Sequence, residues 1–307
     1  MRKHCLALAV AILILPSTPL LAAPTLDVGL LVYRADETLS YVGWPLLFEV
    51  SFANQGAMND WLYNQGIEAE LAEIDGFVAS GDLTEAEAEE MREALVLREI
   101  DPVVLGADGL PWTEFVSFQT SDGVLPWPIE LLAEEVPPAL VLGETGAAVA
   151  WYALSVEDSA SISPGVYEIS VVVSTDGIEP LPDDVWTGTT ASSSTGLEIL
   201  PEPELTDELR LTKEIVFGRY ELYRGEFEAA EVHLLDAVEL DPTSADAWTL
   251  LGEAQYARGA LEDALESFVQ AVELELGEEP EPCDVGEPPG YLLFWIAQIQ
   301  EELGLLP

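Results

Sequence analysis

Acid–base and nucleophilic catalysis need an imidazole, a thiol or a singled-out carboxyl, and this chain is sparing with the first two. Its 307 residues hold two histidines and two cysteines. His4 and Cys5 stand at the very start, which leaves His233 and Cys283. A Ser-His-Asp or Cys-His arrangement would have to use His233. That residue lies between Glu231 and Asp236 in a run of helical period, the setting of a surface histidine. No Gly-x-Ser-x-Gly elbow, Gly-Lys phosphate loop or spaced Cys/His set occurs. Carboxylates pose the opposite problem: 58 Asp and Glu residues offer so many glycosidase-type pairs that none is selected. The stretch "DGFVASGDLTEAE" lacks the Asp-x-Asp-x-Asp-Gly run of a calcium loop. These residues predict no catalytic group, no metal site and no cofactor. Binding is the chemistry left. Trp112, Trp127, Trp151 and Trp186 can stack against sugars, although their places beside prolines and in alternating strands suit core or turn packing. Cys283, the one cysteine beyond residue 5, permits an intermolecular disulfide and no internal one.

The elements that would position a binding surface lie in the C-terminal third. "ADAWTLLGEAQYARGALEDALESFVQAVELEL", Ala245 to Leu276, carries small residues at regular intervals. An offset of 34 residues maps Gly252 onto Gly218, Gly259 onto Gly225, Ala264 onto Ala230, Ala271 onto Ala237 and Leu274 onto Leu240. Gly252 and Ala264 would let two helices approach closely. Gly259 supplies a left-handed turn between them, and Pro242 stops the preceding helix. A 34-residue period with Trp248, Leu251, Gly252, Ala264, Phe268 and Ala271 in these places resembles the tetratricopeptide repeat family. Tyr256 stands one place later than the family's tyrosine. The preceding repeat, about 211–244, is looser, with Glu214 in the place of Trp248 and Leu234 in the place of Phe268. After the connector "GEEPEPCDVGEPPG", "YLLFWIAQIQEELG" reads as a closing helix in which Ala297 and Gly304 keep the spacing of Gly252 and Gly259. The resemblance implies two repeats and a capping helix, and a concave face lined by the first helix of each repeat. Its groove positions fall on Thr212, Ile215, Arg219 and Leu222, then on Asp246, Thr249, Glu253 and Tyr256. Some family members grip acidic tails with Lys and Asn. Glu253 stands against that, and a groove with Ile215, Leu222 and Tyr256 beside Asp246 and Glu253 favours an apolar or basic protein segment. A short array can also dock on the rest of its own chain and bury this face.

The first two thirds read as strands. In "LLFEVSFANQG", Leu46, Phe48, Val50 and Phe52 alternate with Glu49, Ser51 and Ala53, a half-buried strand ending in an Asn-x-Gly turn. "AAVAWYALSVED" and "GVYEISVVVST" read as further strands, "LDVGLLVY", "PIELLAE" and "ALVLGE" as weaker ones, and "TGTTASSSTGLEIL" as a closing edge strand. Short strands between Pro/Gly turns predict an antiparallel β-sandwich, and "SPGVYEISVVV" is similar to late strands of bacterial immunoglobulin-like domains. Between the strands, Asn59 to about Ile100 has helical period, with Gly81 ending one helix and Thr84 and Glu87 forming a capping box for the next.

The expected organisation is a signal peptide at 1–23, a β domain at 24–200 with its helical insertion at 59–100, a linker at 201–206 and a repeat domain at 207–307. Arg2 and Lys3, the apolar "CLALAVAILIL" and the small residues of "LLAA" carry the signal reading. That implies export to the periplasm, cell surface or beyond. No later run is long and apolar enough to span a membrane. The net charge is −48. Without Arg2 and Lys3, 58 acids face 8 bases, about −50, and Lys213 is the sole lysine left. Such a chain repels nucleic acid and anionic lipid. The reading is a non-enzymatic protein-interaction protein, or alternatively a ligand- or carbohydrate-binding surface protein whose repeats are purely structural.

Overall fold

The structure is a computed structural model that describes residues 26–33, 39–133, 135–143, 146–276 and 290–305. The signal segment 1–23, the connector and Cys283 lie outside the described residues.

Twelve strands are described: β1 (Leu26–Tyr33), β2 (Leu39–Tyr41), β3 (Leu46–Asn54), β4 (Val103–Leu105), β5 (Val116–Thr120), β6 (Gly123–Val124), β7 (Glu130–Leu131), β8 (Leu140–Leu142), β9 (Ala147–Leu154), β10 (Gly165–Ser174), β11 (Thr189–Ala191) and β12 (Thr195–Leu200). The α-helices are α1 (Gln55–Ser80), α2 (Glu85–Glu93), α3 (Val156–Ser159), α4 (Asp207–Tyr223), α5 (Phe227–Leu240), α6 (Ala245–Ala257), α7 (Leu261–Leu276) and α8 (Gly290–Glu302). The chain forms two compact units.

The smaller unit is built around Ala53–Val104 and Val141–Ala147. Its helices begin at Gln55, not Asn59. The expected Asn-x-Gly turn is instead a direct passage from strand to helix, because the buried Asn54 caps α1. Its Oδ1 accepts from the Ala57 N–H at 3.0 Å and its Nδ2 donates to the Asp101 carbonyl at 2.9 Å. Gly81 ends α1 at φ 79°, and Thr84 and Glu87 close the capping box of α2. Arg92 bonds Asp75 at 2.6 Å and Glu85 at 2.9 Å, while Arg98 bonds Asp60 and lies over the Tyr63 ring. Arg92 thus ties α2 to α1, and Arg98 ties the segment after α2 to α1, among elements otherwise rich in carboxylates.

The larger unit holds Asp27–Phe52, Leu105–Leu140 and the chain from Ala148 onward, so residues on both sides of 201–206 share it. One sheet runs β1-β3-β9-β7. The other runs β2-β12-β10-β5-β6, with β11 also on β10. The expected closing edge strand is two strands, and β12 is internal because β2 pairs with it in parallel at Glu198↔Leu39. Phe118 of the second sheet meets Phe48 and Tyr152 of the first, each with ring centroids 5.2 Å apart. On β3 the expected face is buried at Leu46, Phe48, Val50 and Phe52, but Leu47 is buried as well. Leu47 therefore packs against a neighbour on the far side of the sheet.

That neighbour is helical. Thr206 caps α4 through the Leu209 N–H. Pairs α4/α5 and α6/α7 follow, and α7 packs on α8. Close approach explains the small residues. A Cβ on Gly218 would come within 2.6 Å of Leu234, and one on Gly252 within 3.0 Å of the Phe268 ring. The residue that replaces Phe268 in the first pair is thus the one seated on Gly218. Gly225 and Gly259 turn at φ 80° and 79°. Gln255 fills the slot left by the late Tyr256 and accepts a buried hydrogen bond from Ser267 at 2.7 Å. Trp248 touches both helical cores and donates to the Pro242 carbonyl at 3.0 Å. Ala297 is exposed, because no described helix faces it as α7 faces Gly252.

Candidate protein-interaction surface

The expected groove residues divide by what they touch. Thr212 donates to the Glu208 carbonyl of its own helix at 3.1 Å. Ile215 and Leu222 pack on the core between α5 and α6, not on an open face. Thr249 is half-buried. Tyr256 is held by the terminal helix: its hydroxyl donates to Glu302 at 2.8 Å, Gln298 donates to it at 2.6 Å, and its ring lies 4.8 Å from Trp295. The bond to Glu302 pushes the phenol up.

Arg219, Asp246 and Glu253 meet the first sheet or lie beside the helix face that does. One guanidinium nitrogen of Arg219 bonds both oxygens of Asp246, at 2.8 and 2.9 Å, and the guanidinium sits 5.2 Å over the ring of Tyr33 on β1. Tyr33 in turn donates to Glu49 of β3 at 3.0 Å. Beside them Tyr223 stacks on Trp151 of β9, centroids 4.0 Å apart at 28°. Tyr220 is buried with Leu47 and Ala153, and Phe217 meets Trp44 edge-on at 6.4 Å. Leu47 has its neighbour. A void of about 10 Å³ between Tyr33, Leu47, Val216 and Arg219 is scarcely large enough for one water. Part-buried Glu253 loses hydration here, and its carboxyl is pushed up to about 7. Asp246 adds to the rise and Arg219 opposes it. Burial also raises Tyr33 and Tyr223 to about 12, with the hydrogen bond to Glu49 adding to Tyr33.

Sequence reasoning does not single out Tyr33, Glu49, Tyr220 or Tyr223. The one signal for them is Leu47, an apolar residue on the polar parity of its strand.

An exposed apolar set lies on α8, where Tyr291, Leu293 and Phe294 are 48, 45 and 61% exposed. His233 is no free imidazole: its Nδ1 is 2.6 Å from Glu214, the residue in the place of the repeat tryptophan. Among the described residues no group of three or more His, Cys, Asp or Glu could hold a metal ion. No helix among them is long and apolar enough to cross a membrane. Of the four tryptophans, Trp112 is core and Trp151 lies under Tyr223. Trp186 meets Gly188. Trp127 meets Tyr167 edge-on at 4.9 Å, beside a cleft of about 680 Å³.

No family model matches the chain. It is similar to Superkiller complex protein 3 of Mus musculus, with 36% identity over 87 residues, which is 28% of this chain and 5% of that protein's length. A solved structure of a family 123 glycoside hydrolase from Clostridium perfringens aligns over 67% of this chain and 35% of its own. Identity is 9% and the TM-score 0.23, a likeness that carries no argument.

Proposed function

We propose that this chain is an exported, non-enzymatic protein-interaction protein, with tetratricopeptide repeats at its C terminus and an immunoglobulin-like sandwich before them. The similarity to a protein named for a complex is compatible with such a role. The observation that carries the reading is the aromatic face left open at the end of the row of helices. Aligning Ala297 with Gly252 puts Tyr291 in register with Asp246, Phe294 with Thr249 and Gln298 with Glu253. That register carries the face of Asp246 and Thr249 onto α8 as exposed rings, with Glu301 and Glu302 as acids on the same helix. Rings flanked by carboxylates on a chain of net charge −48 suit a basic segment with apolar anchors. Calorimetric titration with Lys/Arg-rich amphipathic peptides and with acidic ones tests this. The basic peptides bind, and Phe294→Ala with Tyr291→Ala weakens them ten-fold or more. Equal binding by the double variant, or none by the wild type, removes the reading.

The cleft beside Trp127 supports a second reading, a carbohydrate site. It offers the rings of Trp127 and Tyr167 with Asp122, Ser161 and Glu168 on its walls. A glycan panel distinguishes the two: Trp127→Ala abolishes sugar retention if this site is the working one and leaves peptide binding untouched.

A further inference from the structure

The cleft beside Trp127 has its origin in the second sheet. β10 pairs with β12 from Gly165 onward, but with β5 only from Ser170. The β5–β6 hairpin, closed by Gln119↔Val124 and Thr120↔Gly123, reverses at Ser121 and Asp122, just past that point. Among the described residues, the start of β10 therefore has a paired strand on one side only. The cleft of about 680 Å³ opens beside it, between the hairpin and Val166–Glu168. Its size is that of a small-molecule site.

Two rings stand on its wall. Trp127 lies between Pro126 and Pro128, which restrict its backbone, and its carbonyl accepts from the Ile129 N–H at 2.9 Å. Tyr167 is set on β10 opposite Leu197, and its hydroxyl donates to the Ser163 carbonyl at 2.6 Å. With that proton engaged, Tyr167 offers a ring and not a donor. The ring centroids are 4.9 Å apart at 67°. The remaining wall is acidic and hydroxylic. Asp122 comes from the β5–β6 turn, Asp158 from α3 and Glu168 from β10, with Ser121 and Ser161 beside them. One Asp158 oxygen accepts from the Ser155 hydroxyl at 2.6 Å. No Lys, Arg or His is among the described residues that line the cleft.

We propose, resting on the reading of this cleft as a carbohydrate site, that its ligand is a sugar with a free amine. The sugar's ring carbons lie against Trp127 and Tyr167, its hydroxyls meet Ser121 and Ser161, and its ammonium faces Asp122, Asp158 and Glu168. Rings and carboxylates favour the same group. An aromatic face attracts a cation, and ionised carboxylates accept charge-assisted hydrogen bonds from an ammonium. A uronic acid is repelled by both. A neutral N-acetylated sugar keeps the stacking and loses the ionic contacts.

Calorimetric titration of the full chain with hexamers of glucosamine, N-acetylglucosamine and galacturonic acid tests this. At pH 5.5 the carboxylates are ionised, and salt of about 0.15 M limits the reach of the chain's overall field to about 8 Å. The glucosamine hexamer binds, the N-acetylated one binds about ten-fold more weakly, and the galacturonic one does not bind. Trp127→Ala weakens the glucosamine hexamer about ten-fold, while Trp127→Phe, which keeps a ring, retains most of the affinity. Asp122→Asn with Glu168→Gln brings the glucosamine hexamer down to the level of the N-acetylated one. That double change removes two of 58 acids, so general attraction of a polycation to the chain is nearly unaltered by it. Equal or tighter binding of the N-acetylated hexamer overturns the proposal and leaves the carbohydrate reading standing. Glucosamine binding that survives Trp127→Ala or the double change overturns it as well, as attraction to overall charge. Absence of binding by all three hexamers, with no retention on the glycan panel, removes the carbohydrate reading along with it.

Discussion

Glycine does two different things in the helical region, and the two carry different penalties. Gly252 and Gly218 sit under Phe268 and Leu234, where a Cβ would meet side-chain carbon at 3.0 and 2.6 Å. Alanine there overpacks the pair and lowers stability by about 1–3 kcal/mol, read as a shift of the urea midpoint at constant slope. A Cβ on Gly259 would meet nothing within 4 Å, but the φ of that residue is 79°. Gly259→Ala loses about 1–2 kcal/mol through backbone strain alone, and Gly259→Asn recovers part of it. The contrast is itself the test. Combining Phe268→Ala with Gly252→Ala removes the ring the new Cβ would meet, so the pair costs less than the sum of its parts, while Phe268→Ala and Gly259→Ala simply add.

Capping decides where helices begin in a chain with few cations to steady them. Thr84 accepts from the Glu87 N–H while the Glu87 carboxylate accepts from the Thr84 N–H at 2.9 Å. Thr84→Ala destabilises α2 by about 1 kcal/mol, seen as faster amide exchange over Glu85–Glu93 and no change in α6. Asn54 is a larger matter, because one buried side chain caps α1 and also holds the Asp101 carbonyl. Asn54→Ala leaves both groups unpaired and loses about 2–4 kcal/mol. The two caps differ in how far they are legible. Thr84 with Glu87 is a local pattern, complete within four residues. Asn54 reads as a turn, since a polar Asn-x-Gly after a strand has the same sequence whether the chain reverses or enters a helix. What settles it is a partner 47 residues away.

Across the whole molecule the charge of −48 makes folding depend on ionic strength. Self-repulsion falls as salt shortens the Debye length from about 30 Å at 0.01 M to about 8 Å at 0.15 M, so the melting temperature rises over that range. The same salt weakens capture of a basic segment. The two responses are opposite in sign and are checked by scanning calorimetry and by titration on one preparation. Lowering the pH from 8 to 5.5 also stabilises the larger unit, because Glu253 at about 7 is then protonated when folded. Glu253→Gln removes that part of the gain.

Whatever is periodic or adjacent can be read along the chain: the 34-residue register, the small residues under Phe268 and Leu234, the left-handed glycines and the alternation of β3. These follow from geometry repeated within one or two turns of chain. The covering of the outer face of the first sheet emerges only in three dimensions. Leu47 meets Tyr220, Trp151 meets Tyr223, and Arg219 lies over Tyr33. Each pairing joins residues far apart in the chain, chosen by matching apolar area and charge between two surfaces, and no local period encodes such a match. That is why Arg219 reads as an open groove position and lies instead over Tyr33 of the chain's own sheet.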